Sequence, residues 1–258
     1  MITGATGGIG VEIARAFARE GARLILSARN AQALAMLAAE LKSSGAEVMT
    51  VASDVTVPAD VERLVAEATH AMGDIDIAVC NAGVYVRGAV KDLTLDGIQR
   101  CMDTNYYGSV HCIRAVLPRM LARRSGHIVA VSSVDGKKGL IPDAAYAASK
   151  YALTGFMDVL RQELRNTGVY ASTIFPERVD TPMIENLKLP LMSRRLPPGA
   201  VANAVLKAVR QRRREIVVSF AGPKFLIVAS AIWPAMGDWL ARVFRLQGVE
   251  LEKGTTHG

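Results

Sequence analysis

Thr3-Gly-Ala-Thr-Gly-Gly-Ile-Gly10 is a glycine-rich turn that runs directly into Val11-Glu-Ile-Ala-Arg-Ala-Phe-Ala-Arg-Glu20, a segment with helical patterning. Any tight turn uses glycine, so the stretch decides the fold only together with the pattern of the chain beyond it. Downstream, short β-branched runs alternate with helical segments. The strands read as 22–28, 47–53, 75–80, 127–132, 169–175 and 215–220, and the helices as 8–20, 30–44, 58–72, 92–123, 145–167 and 198–212. Alternation at this spacing predicts an α/β fold, a parallel sheet covered by helices on both faces. A glycine turn of this kind should come after a buried strand, central in a doubly wound sheet, yet only Met1 and Ile2 precede Thr3. The first strand therefore reads as truncated, and the expectation is that the natural protein begins several residues upstream or that this chain was truncated.

At 258 residues, half of them hydrophobic, the chain can build one large α/β domain with a full core. Cys80, Cys101 and Cys112 are too few and too irregularly spaced for a disulfide framework or a CxxC metal site. A cytoplasmic setting is the expectation, since Met1 leads straight into the turn without the basic and apolar segments of a secretory signal. The net charge of +7 is densest at Arg210-Gln-Arg-Arg-Arg-Glu215. Cations at a helix C-terminus are favoured by the macrodipole, and no nucleic-acid-binding motif accompanies them, so no nucleic-acid partner is expected. His70, His111, His127 and His257 lack metal-ligand spacing, so no metal is expected.

Chemistry concentrates in Val131-Ser-Ser-Val-Asp-Gly-Lys-Lys-Gly-Leu-Ile-Pro-Asp-Ala-Ala-Tyr-Ala-Ala-Ser-Lys150. Tyr146 and Lys150, four apart, share one face of a helix, which sets an ammonium beside a phenol. Free tyrosine titrates near ~10. A fixed positive charge favours the phenolate and brings the group toward neutral-pH proton transfer.

Glycine turn, serine, tyrosine and lysine together resemble the short-chain dehydrogenase/reductase family over roughly the first 220 residues. The resemblance implies a Rossmann-like doubly wound sheet in three layers, with residues 1–221 as the dehydrogenase domain, 182–198 as a variable substrate lid and 222–258 as a C-terminal extension of the same domain. In the family the serine lies 13 residues before the tyrosine, a spacing met by Ser133 and not by Ser132, which reads as structural. The resemblance makes Asn105, Ser133, Tyr146 and Lys150 a catalytic tetrad. Tyr146 would exchange a proton with the substrate oxygen, Ser133 would orient that oxygen, and Lys150 would lower the tyrosine pKa and hold the nicotinamide ribose. Asn105 would hold a water linking Lys150 to solvent.

The family's cofactor is a nicotinamide dinucleotide. Gly4, Gly8 and Gly10 fit its TGxxxGIG pattern, together with Thr6 and Ile9, letting the backbone approach a pyrophosphate at a helix N-terminus. Ala28 stands where NAD-preferring relatives carry aspartate, and Arg29 comes next, so NADP(H) is expected: an arginine there can pair with a 2′-phosphate through two donors. Asp54 and Val55 match the pair that meets adenine. Asn81, Ala82 and Gly83 match the ribose-facing strand end, with Cys80 replacing a first asparagine. Pro176, Val179 and Thr181 fall in the nicotinamide loop. Glu177 departs from the glycine expected there, and if the position needed φ > 0 it would carry strain.

Met183, Ile184, Leu187, Leu189, Leu191 and Met192 make the lid apolar, which suggests a lipophilic carbonyl or alcohol as substrate, or packing against the domain. The run from Phe225 to Leu246 is interrupted by Pro234, Gly237 and Asp238 and is not a membrane span. Its tryptophans and arginines fit an interfacial helix touching a membrane, though a subunit contact or cleft cover is the favoured reading. The resemblance further implies a homodimer or homotetramer. The reading is an NADP(H)-linked carbonyl reductase or alcohol dehydrogenase. The alternative is a non-catalytic dinucleotide-binding sensor or scaffold.

Overall fold

The computed structural model describes residues 1–185, 187–188, 195–219, 221–244 and 249–250. Nine strands occur among them: β1 (Ile2–Thr3), β2 (Leu24–Ala28), β3 (Val48–Ala52), β4 (Ile77–Cys80), β5 (Gly126–Val131), β6 (Val169–Pro176), β7 (Leu187–Lys188), β8 (Glu215–Val218) and β9 (Val249–Glu250). Seven of these form one parallel sheet in the order β3-β2-β1-β4-β5-β6-β8, while β7 and β9 pair antiparallel. Strand order reverses between β1 and β4, the switch point at which an open α/β sheet forms its crevice. All six strands read from the sequence are present. The two-residue β1 occupies the central position, with Ile2 in register with both Leu26 and Val79.

Each sheet face is covered by helices, because successive strand side chains point to opposite sides. On one face Ile128 and Ala130 of β5 pack with α3 (Pro58–Met72), α5 (Gly108–Ala122) and α6 (Ala144–Glu163) through Leu64, Ile113, Val116, Leu153 and Met157. On the other, Val129 and Val131 meet α1 (Gly8–Arg19), α2 (Ala31–Ser43) and α7 (Pro198–Gln211) through Ile13, Phe17, Leu34 and Val205.

The helix expected over 92–123 is instead three joined pieces. α4 (Leu95–Cys101) passes into a π-helical turn, Met102–Tyr107, and then into α5. The extra residue of a π turn shifts the helix face and swings Asn105 fully into the interior. Beyond β8 the extension folds into α8 (Ala221–Ile232) and α9 (Pro234–Val243), which pack on each other, with Pro234 opening the second helix. No helix among the described residues is long and apolar enough to cross a membrane. Among the apolar lid residues, Leu189, Leu191 and Met192 lie outside the described residues, as does the Leu187 side chain.

Candidate active site

The glycine turn lies at the switch point and is held from two sides. Gly4 has φ 62°, the left-handed region where a side chain is strained, and a Cβ there would sit 2.7 Å from Ala82 Cα. A Cβ on Gly10 would overlap the Gly4 carbonyl, and one on Gly8 would come within 2.8 Å of Thr181. Asn81 Nδ2 donates to the carbonyls of Thr3 (3.2 Å) and Gly4 (3.1 Å), so this side chain fastens the turn rather than facing outward.

Beside the turn lies a cleft of about 530 Å³. Gly4, Thr6, Gly8, Ile9 and Gly10 form one wall, Arg29, Asp54 and Val55 a second, and Asn81, Ala82, Gly83 and Thr181 a third. Asp54 is partly engaged, its Oδ1 accepting from Thr56 N and Oγ1. Arg29 is exposed and makes no ion pair among the described residues.

A second, smaller cleft of about 120 Å³ meets the first at Ile9, Thr181 and Met183. Ser133, Tyr146, Pro176 and Val179 line it, together with the apolar Leu140, Ile184, Leu226 and Ile227. Met183 and Ile184 bring the described start of the lid to its wall, and Leu226 and Ile227 bring α8, so the extension covers this cleft.

Ser133 ends the extended stretch after β5, and Tyr146 sits in the first turn of α6. Ser133 and the Tyr146 phenol line this cleft together. Lys150, one turn on, is buried, donates to Val131 O at 2.9 Å and stands 5.6 Å from the Tyr146 ring centre. Burial pulls its pKa down to about 8. The phenol goes the other way from the sequence expectation: burial, then the charge of Asp135, push Tyr146 above the ordinary tyrosine value, with the Ser133 hydroxyl opposing. Ser132 turns away to Lys150 O and Thr154 Oγ1, both at 3.2 Å, as a structural residue does.

Asn105 comes to the same centre but spends its side chain on main chain and Ser149. Its Oδ1 accepts from Val84 N at 2.8 Å, and its Nδ2 donates to Val84 O at 3.0 Å and Ser149 Oγ at 2.9 Å. Ser149 Oγ in turn donates to Tyr146 O at 2.7 Å. Asn105 therefore clasps the β4 end to α6. Glu177 is in the cleft wall, and φ is not positive there, so the backbone strain contemplated from sequence is absent.

Four residues in or directly behind this wall escaped the sequence reading. Arg87 Nε donates to Asp143 Oδ1 at 2.8 Å, with both side chains almost fully buried, and Tyr85 Oη donates to the same oxygen at 2.9 Å. The Tyr85 ring stands edge-on to Tyr146, centroids 4.8 Å apart at 88°. Asp135 completes the set, its amide donating to Ser133 Oγ at 3.1 Å and its Oδ2 accepting from that hydroxyl at 3.2 Å. The signal available was an aspartate two residues beyond the candidate serine. For Arg87 and Asp143 there was none, since 56 residues separate them.

The fold and site define a dinucleotide-binding α/β protein with a tyrosine and a serine at the far end of its cleft. The short-chain dehydrogenase model matches residues 1–190, and the chain belongs to that family. It is 35% identical over 252 residues to the dehydrogenase/reductase SDR family member 7B of Bos taurus, covering 92% of this chain and 78% of the relative. The actinorhodin polyketide ketoreductase with NADPH aligns at TM-score 0.78 and 30% identity, over 84% of this chain and 94% of that one. A short-chain dehydrogenase/reductase from Burkholderia phymatum in complex with NAD aligns at TM-score 0.78 and 26% identity, over 97% and 96%. The chain is thus an oxidoreductase of the kind that acts on alcohol and keto groups with a nicotinamide dinucleotide.

Proposed function

We propose that this protein is an NADP(H)-dependent carbonyl reductase or alcohol dehydrogenase whose substrate is a lipophilic small molecule. The observation that carries the reading is the junction of the two clefts at Ile9, Thr181 and Met183, with the glycine turn in one and Ser133 and Tyr146 in the other. The residues present fit a dinucleotide: backbone N–H groups at the start of α1 suit a pyrophosphate, and glycine at Gly4, Gly8 and Gly10 keeps the approach clear. When bound, the nicotinamide supplies or takes up a hydride. Tyr146 exchanges the proton of the substrate oxygen, and its raised pKa keeps that proton in place for reduction. Ser133 hydrogen-bonds the same oxygen. Lys150 and Asn105 fix the geometry of α6 against the ends of β4 and β5.

NADP(H) is favoured over NAD(H) by Ala28, which offers no acid to a ribose 2′-hydroxyl, and by the exposed Arg29 beside it. A lipophilic substrate is supported by Leu140, Met183, Ile184, Leu226 and Ile227 around the second cleft. Initial rates with NADPH and NADH over ketones, steroids, retinoids and 3-oxoacyl thioesters test the reading. NADPH-linked turnover is expected. NADPH binding without turnover of any carbonyl points to the sensor or scaffold instead, and a clear NADH preference overturns the cofactor assignment. A homodimer or homotetramer is expected in light scattering.

A further inference from the structure

Ser133 has one proton and two lone pairs, and its surroundings offer more partners than that proton can serve. Asp135 N donates to Ser133 Oγ at 3.1 Å in either charge state, which fills one lone pair. The second contact is Asp135 Oδ2 at 3.2 Å, and the Tyr146 phenol lines the same cleft as a third neighbour. With Asp135 ionised, the serine proton is drawn to the carboxylate, because a charge-assisted bond is the stronger one. The remaining lone pair then accepts the Tyr146 proton, and neither hydroxyl is turned toward a carbonyl oxygen. With Asp135 protonated on Oδ2 the bond reverses. The carboxyl donates to Ser133, both serine lone pairs are filled, and the serine proton is released toward the phenol and the substrate oxygen.

We propose that Asp135 is a positioning residue for the reduction, its carboxyl setting by its protonation whether Ser133 and Tyr146 present hydrogens to the substrate carbonyl. The step rests on the carbonyl-reductase reading above. Asp135 itself neither gains nor loses a proton in the overall reaction; the proton that reaches the oxygen comes from Tyr146.

The surroundings favour the neutral form near neutral pH. Asp135 Oδ1 is buried and has no hydrogen-bond partner among the described residues, a cost that is larger for a carboxylate than for a carboxylic acid. Asp143, which caps α6, and Tyr146 within it face it, with Lys150 a turn deeper; Tyr85 and Arg87 face it from the loop after β4; Glu177 and Arg178 face it from the loop after β6. On its own stretch Lys138 is engaged by Asp238 of α9. Arg87 and Asp143 pair with each other and so largely offset one another at Asp135, which leaves burial as the leading influence. Burial, then Asp143, hold its pKa up to about 7, against the opposing pull of Ser133, Arg178 and Arg87.

Two readouts test this, one of them independent of turnover. In the infrared titration of the protein without cofactor, a carboxylic-acid band should vanish across neutral pH and be missing in Asp135→Asn. Ser133→Ala should raise its midpoint, because the serine bond favours the ionised form. In the kcat profile for ketone reduction, the native enzyme should fall about a hundredfold from pH 6 to pH 9 as the acid form is lost. Asp135→Asn, whose amide donates to Ser133 at every pH, should lose that fall while remaining active at pH 6. No neutral-range band, a midpoint unmoved by Ser133→Ala, or an Asp135→Asn profile that keeps the fall overturns the proposal. If no carbonyl is turned over, the functional reading fails, and the infrared arm still decides the coupling of Asp135 to Ser133.

Discussion

Replacing Arg87 by methionine should cost roughly 3–5 kcal/mol of stability, the effect of removing one member of a buried ion pair and leaving the other charge uncompensated. The structure sets the magnitude through three observations. The Nε to Oδ1 distance is 2.8 Å, the Arg87 and Asp143 side chains are 5% and 8% exposed, and the only other donor described on that oxygen is Tyr85 Oη at 2.9 Å. One neutral donor cannot replace a charged one, since bonds to ionised groups are about twice as strong. For a chain of this size the loss corresponds to a fall of about 6–20 °C in Tm. Activity should fall with it, because Asp143 O accepts from Ala147 N at 2.7 Å in the first turn of α6, beside Tyr146, and Tyr85 packs edge-on against that phenol. The measurement is a double-mutant cycle in urea. Arg87→Met and Asp143→Leu should each destabilise strongly, whereas the double variant should recover most of the loss by removing both charges. A loss below about 1 kcal/mol in Arg87→Met, or additive losses in the double variant, would refute the reasoning.

The same geometry sets four other outcomes. Tyr146→Phe should lower kcat by about 10²–10⁴-fold while NADPH binding, monitored by fluorescence, stays intact. Arg29→Ala should raise the KM for NADPH by about tenfold or more and leave that for NADH unchanged, since a charge-assisted pair to phosphate is worth roughly 1.5–3 kcal/mol. Asp135→Asn should make stability less dependent on pH. The folded carboxyl titrates at about 7 against ~3.9 unfolded, so the folded state holds the extra proton, and native stability declines as pH rises from about 4 to 7. The full penalty is at most roughly 4 kcal/mol, and thermal melts of both proteins at pH 5 and pH 8 read it. Glu177→Gly should leave the backbone undisturbed, since φ is not positive there, so any change in NADPH affinity reports the loss of the carboxylate.

What was legible in the sequence was whatever repeats at short range. Strand period, helix period and glycine spacing are local, and they located the sheet, the switch-point cleft and the pairing of Tyr146 with Lys150. What was not legible depends on residues brought together across the sheet. The π turn at Met102–Tyr107 inserts one residue into an otherwise helical pattern, which leaves no composition signal and yet moves Asn105 into the interior. The sign of the Tyr146 perturbation departs from the sequence expectation for a related reason. Spacing put an ammonium beside the phenol, but burial and Asp135 outweigh it, and neither can be read from a four-residue interval. Lys150 gives up part of its basicity to burial and donates to Val131 O at 2.9 Å. On the proposal above, the carboxyl that the chain places two residues beyond the serine joins the cation four residues beyond the tyrosine in setting proton handling at Ser133 and Tyr146.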